Sequence, residues 1–274
     1  MKLAARGATV PARETDASTQ ARRQIWSFIG VALALFALLR FVLGPLPQDP
    51  AYHFFADTRA WGPMPRAGDV LTNTAILAAG LAGLALWRRV RIAPEERPAY
   101  ALLVVAMLAT ALGSAWYHAA PSGARLVWDR LPMALLTAAI VALVLADRLH
   151  PAFGRVAWWP LALLGAASVL WWAWTDRAGG GGDLLLYLVV RIGAGLGVVC
   201  LLLLRRGRYT HAGWLVAAMT LGVVMTVCES FDHEIYVVTG NIISGHSVKH
   251  LLAGALLGCI LAWLALREPR RVPS

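Results

Sequence analysis

The chain has 274 residues, of which 59% are hydrophobic and only 15% charged, with a net charge of +10. A soluble domain carries nearer a quarter charged residues, so the composition excludes an ordinary water-soluble globule and points to the membrane class. The basic residues sit in short blocks between apolar runs, as cytoplasmic membrane loops do, rather than on one strongly basic segment, which argues against a nucleic-acid partner.

Residues 1–24 are polar and of mixed charge and read as a disordered cytoplasmic tail. The first apolar run, about 25–44, is long enough to span a bilayer, and Pro45, Pro47, Asp49 and Pro50 after it offer no small-residue cleavage site, so it is expected to remain as a helix. Seven more runs of spanning length follow at about 70–88, 100–118, 131–147, 157–174, 183–204, 212–229 and 245–266. Trp87, Trp158, Trp159, Trp171, Trp172 and Trp174 mark membrane interfaces. The expectation is an all-α integral membrane protein of eight spans, with residues 267–274 as a short cytoplasmic tail. Cys200, Cys228 and Cys259 lie singly inside apolar runs and read as small core residues.

Arginines fix the orientation. Arg88, Arg89, Arg91 and Arg97 follow span 2; Arg148 and Arg155 follow span 4; Arg205, Arg206 and Arg208 follow span 6; Arg267, Arg270 and Arg271 close the chain. With eight spans these all fall on the side of the basic N-terminus, and residues 230–244 on the other side carry no Lys or Arg. Both termini are therefore expected in the cytoplasm, and the composition and loops suggest a bacterial inner membrane.

Ionisable residues inside a bilayer are costly and mark function. Ser114 and His118 stand four apart at the end of span 3, on one helix face. Asp129 opens span 4, Asn73 opens span 2, Glu229 and Asp232 close span 7, and His246 and His250, again four apart, open span 8. The topology set by the basic loops carries all of them to the outer, periplasmic face. Three imidazoles suit zinc and leave a fourth position open for water, the catalytic arrangement. Zinc would acidify that water and polarise a carbonyl, Asp129 could carry the proton, and Ser114 could donate to an oxyanion. The bland alternative is that these are hydrogen-bonded core residues. Among the rest, Asp57 and Arg59 either pair or rim the site. Glu229 and Asp232 either hold a ligand imidazole by its second nitrogen or anchor Lys249 or Arg191. Arg191, deep in span 6, is expected to form a salt bridge, with a lipid headgroup as the alternative partner. Lys249 is expected to point away from the site.

The order Ser-x-x-x-His in GSAWYH (113–118), Asp in VWDRLPM (127–133) and His-x-x-x-His in SGHSVKHLLAG (244–254) resembles the alkaline ceramidase family, within the superfamily that holds the adiponectin-type receptors. The segment YHFFADTRAWG…DVLTN, residues 52–73, is similar to that of its bacterial branch. The likeness covers roughly residues 52–266. It implies a seven-helix core, here 45–266, with residues 25–44 as an extra N-terminal helix. It implies zinc held by His118, His246 and His250, with Asp129 and Ser114 catalytic, and hydrolysis of the amide of ceramide or a related N-acyl lipid by a zinc-bound water, releasing a fatty acid. Eukaryotic members also bind Ca2+ at an acidic site before the first core helix; Asp57 and Asp69 stand there, but the acidic pattern is not reproduced and Arg66 interrupts it. The other functional class in play is a non-enzymatic receptor or sensor on the same scaffold with a structural metal. A transporter or haem protein fits less well, since the histidines lie near helix ends.

Overall fold

The computed structural model describes residues 12–270, is 77% helical, and has no β-strand among the described residues. The helices in chain order are α1 (Ala12–Leu43), α2 (Ala67–Thr72), α3 (Thr74–Ala85), α4 (Arg97–Ala119), α5 (Gly123–Arg148), α6 (Ala152–Val156), α7 (Trp158–Thr175), α8 (Leu185–Leu204), α9 (Gly213–Ser230), α10 (Asp232–Val238) and α11 (Gly245–Leu266). Seven helical stretches are long and apolar enough to cross a membrane: α1, α2 with α3, α4, α5, α8, α9 and α11. The expected fifth span at 157–174 is present as α7, a tryptophan-rich helix that is not among these seven. The protein is therefore a multi-pass, all-α integral membrane protein.

Two terminal expectations change. α1 starts at Ala12, so the stretch up to Gln24 is helical, not a disordered tail. Its Ala, Arg and Gln residues are good helix formers continuing a spanning helix, Ala21 and Ile25 are buried, and Arg155 of α6 donates to Ser18. Residues 1–11 and 271–274 of the expected tails lie outside the described residues. At the other end Arg267 is no tail residue. It is fully buried, ion-paired with Glu96 and stacked near Tyr209 and Trp263.

The helices pack in an order that matters for the site. α9 lies on α11, α11 on α3, α3 on α4, α4 on α5, and α5 on α7 and α8; α1 covers α6, α7 and α8. α8 and α9 form no packed interface, so the row is open between them. In a membrane, close helix approach relies on small residues rather than on expulsion of water. Gly113 shows this at the α4–α5 contact: a Cβ there would overlap the Trp128 carbonyl and come within 2.8 Å of its carbon. Gly245 does the same at the start of α11, where a Cβ would run into the Cys228 carbonyl of α9. Both glycines adjoin residues of the presumptive site, Ser114 and His246.

α11 begins where its sequence supplies caps. The Ser244 Oγ accepts from Ser247 N at 2.9 Å, and the Asp232 carboxylate accepts from His246 N at 2.7 Å. These satisfy amides that the first turn leaves without intrahelical partners. Asp232 also accepts from Ala56 N at 2.9 Å, tying the segment between α1 and α2 to the same point. That segment folds over the end of the bundle through a short 3₁₀ turn at Pro50–His53, capped by Asp49.

Candidate metal centre

α4 and α11 bring three buried imidazoles together. His118 Nε2 and His246 Nε2 are 3.1 Å apart. Ring centroids stand 4.6 Å apart for His118–His246, and 4.8 Å for both His118–His250 and His246–His250. One nitrogen from each ring lies within 4.8 Å of the others, a group that can hold a metal ion. Phe55, from the segment before α2, gives the group an apolar side, meeting the His118 and His246 rings edge-on at 4.5–4.7 Å.

The hydrogen bonding of His250 fixes its tautomer. Its Nδ1 lies 3.1 Å from the Asp69 carbonyl and 3.1 Å from Thr72 Oγ1, while the Thr72 hydroxyl donates to the Gly68 carbonyl at 2.8 Å. Thr72 can therefore only accept from His250, and so can the carbonyl. The proton sits on Nδ1, and Nε2 is left as a free lone pair. This is the arrangement by which an outer carbonyl orients a metal-binding imidazole. The helix break between α2 and α3 exposes that carbonyl, and Asn73 at the break donates to it at 2.8 Å. Asn73 also approaches His250 Nδ1 at 3.4 Å.

The ligand set fits zinc. With Zn–N bonds near 2.0–2.1 Å and tetrahedral angles, neighbouring ligand nitrogens stand about 3.3–3.4 Å apart. The observed 3.1 Å between two ring nitrogens of different helices is close to that. All three rings are at most 3% exposed. Imidazole nitrogens alone, without thiolates, also suit other borderline divalent metals. The donor set thus defines a metal site without choosing the ion.

The remaining candidates divide into those at the triad and those beside it. Ser114, one turn from His118, is buried and turned toward the Asp129 carboxylate closely enough to interact with it. Asp129 in turn feels Lys249 and Arg130. Glu229 does not reach an imidazole; it accepts from Lys249 Nζ at 2.6 Å. Asp232 holds the backbone N–H of His246 and not its ring. Lys249, expected to face away, instead lies 3.4 Å from His246 Nε2, because three residues along a helix return to the same face. Asp57 and Arg59 pair with each other at 2.7 Å, and the same guanidinium donates to the Ile242 carbonyl. This bond holds the Asp57 carboxyl below the usual carboxylate range. Asp69 Oδ1 accepts from Ser244 and Ser247, while its Oδ2 is buried without a hydrogen-bond partner. Among the described residues the group that could hold a metal ion consists of the three histidines, without Asp57 or Asp69. Arg191 has no salt bridge; its guanidinium donates to Tyr187 Oη at 2.8 Å, one turn earlier on α8.

Several site residues escaped the sequence reading. Phe55, Tyr52 and His53 arrive on an irregular segment with no periodicity to read. Burial raises the Tyr52 phenol and lowers His53, whose Nδ1 is 2.9 Å from Tyr117 Oη. Tyr117, Thr72 and Lys249 each stand beside or three to four residues from a recognised position, and helical spacing could have found them. Against known proteins, no family model, no curated protein and no solved structure matches the chain.

Proposed function

We propose that the chain is a zinc-dependent intramembrane hydrolase that cleaves the amide bond of ceramide or a related N-acyl lipid. The observation that carries this reading is the buried His118–His246–His250 cluster, with Ser114 one helical turn from His118 and interacting with Asp129 of α5. A purely structural metal would need neither the serine nor the aspartate. The motif order shared with alkaline ceramidases supports the same reaction and eight membrane passes, with α7 as the fifth. The arginine-rich connections support cytoplasmic termini and a site at the outer face of the inner membrane.

His118, His246 and His250 would hold the ion. When bound, zinc supplies a Lewis acid for the amide carbonyl and a water acidic enough to lose a proton near neutral pH. The chain's own groups do the rest. Asp129 takes a proton from water as the new C–O bond forms and returns it to the nitrogen as the C–N bond breaks, so that a fatty acid and an amine leave. Ser114 donates a hydrogen bond to the developing oxyanion. Phe55 and Tyr117 give the site an apolar side, which strengthens these interactions. The lack of a packed α8–α9 interface leaves this side of the bundle as the route by which a lipid would enter.

The test is metal analysis and lipid turnover on the same preparation. Purified protein should carry about one zinc per chain, and both His118→Ala and His250→Ala should lose it. Wild type should release fatty acid from an N-acyl lipid, and Asp129→Asn should keep zinc yet lose at least about a hundredfold in rate, the scale of general acid–base catalysis. Folded wild-type protein without zinc, or with zinc and no turnover of any N-acyl lipid, would overturn the proposal.

A further inference from the structure

Two arginines next to the metal centre have no carboxylate partner. Arg130 is only 5% exposed, hydrogen-bonds Gln48 at 2.5 Å and is enclosed by the rings of Tyr52, Trp172 and Tyr187 at 4.5–5.2 Å. Its Nη1 is buried with no partner. Arg191 donates to the hydroxyl of the same Tyr187 and lies about 9 Å along α8 from its start. No ion pair involves either residue among the described residues; Asp129, next to Arg130 in sequence, interacts with Ser114, and Glu229, which Arg191 also feels, is bound to Lys249. An arginine at membrane depth is tolerated when something anionic meets it. A buried guanidinium nitrogen left bare costs more than an unmade bond in water.

Arg191 also sits at the mouth of a cavity, and Arg130 adjoins it through the Tyr187 ring that both share. Arg191 and Tyr187 line a small crevice with Ala134, Thr137 and Val190, and those same three residues line a much larger apolar cavity of about 420 Å³ between α1, α5, α7 and α8. Gly193 and Gly197 of α8 leave room in its wall, with open space where their side chains would be. Its far end runs past Ile25 and Leu201 toward the opposite membrane face. A charged mouth opening into a long hydrocarbon-lined slot is shaped for one kind of molecule.

We propose that Arg130, Arg191 and this cavity form a binding site for an anionic single-chain amphiphile, with its carboxylate or phosphate on the arginines and its alkyl chain between α1, α5, α7 and α8. The site is separate from the histidine cluster and its wall includes α1. It does not depend on hydrolysis. A carboxylate would come from a free fatty acid, a phosphate from a lipid headgroup; both offer the acceptor oxygens that guanidinium donors match.

The test uses the full chain in mild detergent and displacement of the fluorescent fatty acid cis-parinarate by oleate, oleyl phosphate or oleyl alcohol. These share the chain and differ in the head. One or both anions should displace the probe at least about tenfold more tightly than the alcohol, the scale of a charge-assisted hydrogen bond in a sheltered site; which anion does so identifies the source. Arg191→Gln should abolish the preference while leaving oleyl alcohol unchanged. Gly197→Leu, which has space for its side chain, should weaken all three. His250→Ala should leave the preference intact. Equal binding of anions and alcohol overturns the proposal. So does a preference that survives Arg191→Gln but vanishes in His250→Ala, which would put the anion on the metal. Gly197→Leu without effect would place the chain elsewhere and overturn it equally.

Discussion

Replacing Gly113 by alanine tests whether the catalytic pair depends on how closely α4 approaches α5. The added Cβ would fall on the Trp128 carbonyl, 2.8 Å from its carbon and 3.5 Å from Asp129 N. Carbon atoms prefer 3.5–4.0 Å, so the two backbones must part by about 1 Å, with no flexible side chain to give way. Overpacking of this sort costs about 1–3 kcal/mol, and rigid backbone on both sides puts Gly113→Ala near the upper end. Alanine returns up to about 1 kcal/mol of helix propensity, leaving a net loss near 2 kcal/mol. Gly258→Ala, on α11 with open space around its Cβ, has the gain and no clash. Thermal unfolding in detergent should therefore move in opposite directions for the two variants. Gly113→Ala should also slow lipid hydrolysis beyond its effect on stability, since Ser114 and Asp129 move apart. A Tm for Gly113→Ala equal to or above that of wild type would refute the close packing, and with it the geometry assigned to the pair.

Two other outcomes are expected. Thr72→Val removes one of the two acceptors for the His250 Nδ1 proton and leaves the Asp69 carbonyl, so zinc affinity measured against a chromophoric chelator should fall by about tenfold, the low end for such outer contacts; unchanged affinity would mean that the threonine does not orient the ring. The Asp57 carboxyl is depressed chiefly by its bond to Arg59, so that bond stabilises the protein above the ordinary carboxylate pKa and is lost as pH falls through the depressed one. Arg59→Gln should accordingly lower the Tm at pH 7 and do so less at pH 4, where the stranded carboxyl can protonate; an equal loss at both pH values would rule out the charge as its cause.

The histidine cluster was legible because two regularities agree. Four-residue spacing puts His246 and His250 on one face, and the arginine blocks fix which helix ends meet, so His118 joins them from α4. Where only one position was compared, the reading failed. Lys249 was judged against His250, its neighbour, although it is also three residues from His246 and shares that face. The salt bridge expected for Arg191 overlooked Tyr187, four residues earlier, whose hydroxyl takes the guanidinium instead. Tyr52 and Phe55 fall in the segment that resembles the bacterial branch but carry no helical period, and their return to the bundle depends on the Asp232 carboxylate holding Ala56 N. The helical start of α1 was visible in its residues but was outweighed by their polarity.

The two ends of the bundle treat buried charge differently, and the difference separates structure from function. At the end away from the histidines, buried cations meet carboxylates: Arg267 meets Glu96, and Arg148 meets Asp147 at 2.9 Å, which also accepts from Tyr209 N. Such pairs tie α4, α5 and the ends of α8 and α11 together, and they ask for no further partner. At the histidine end, Lys249 takes the carboxylate of Glu229 and Arg59 that of Asp57, whereas Arg130 and Arg191 are left to aromatic rings, the Gln48 amide oxygen and the Tyr187 hydroxyl. Ion pairs of the first kind would have been equally available to a fold that needed only stability. Two arginines without a carboxylate at the same end as three clustered imidazoles are the asymmetry on which both proposals rest, the metal and the anionic amphiphile.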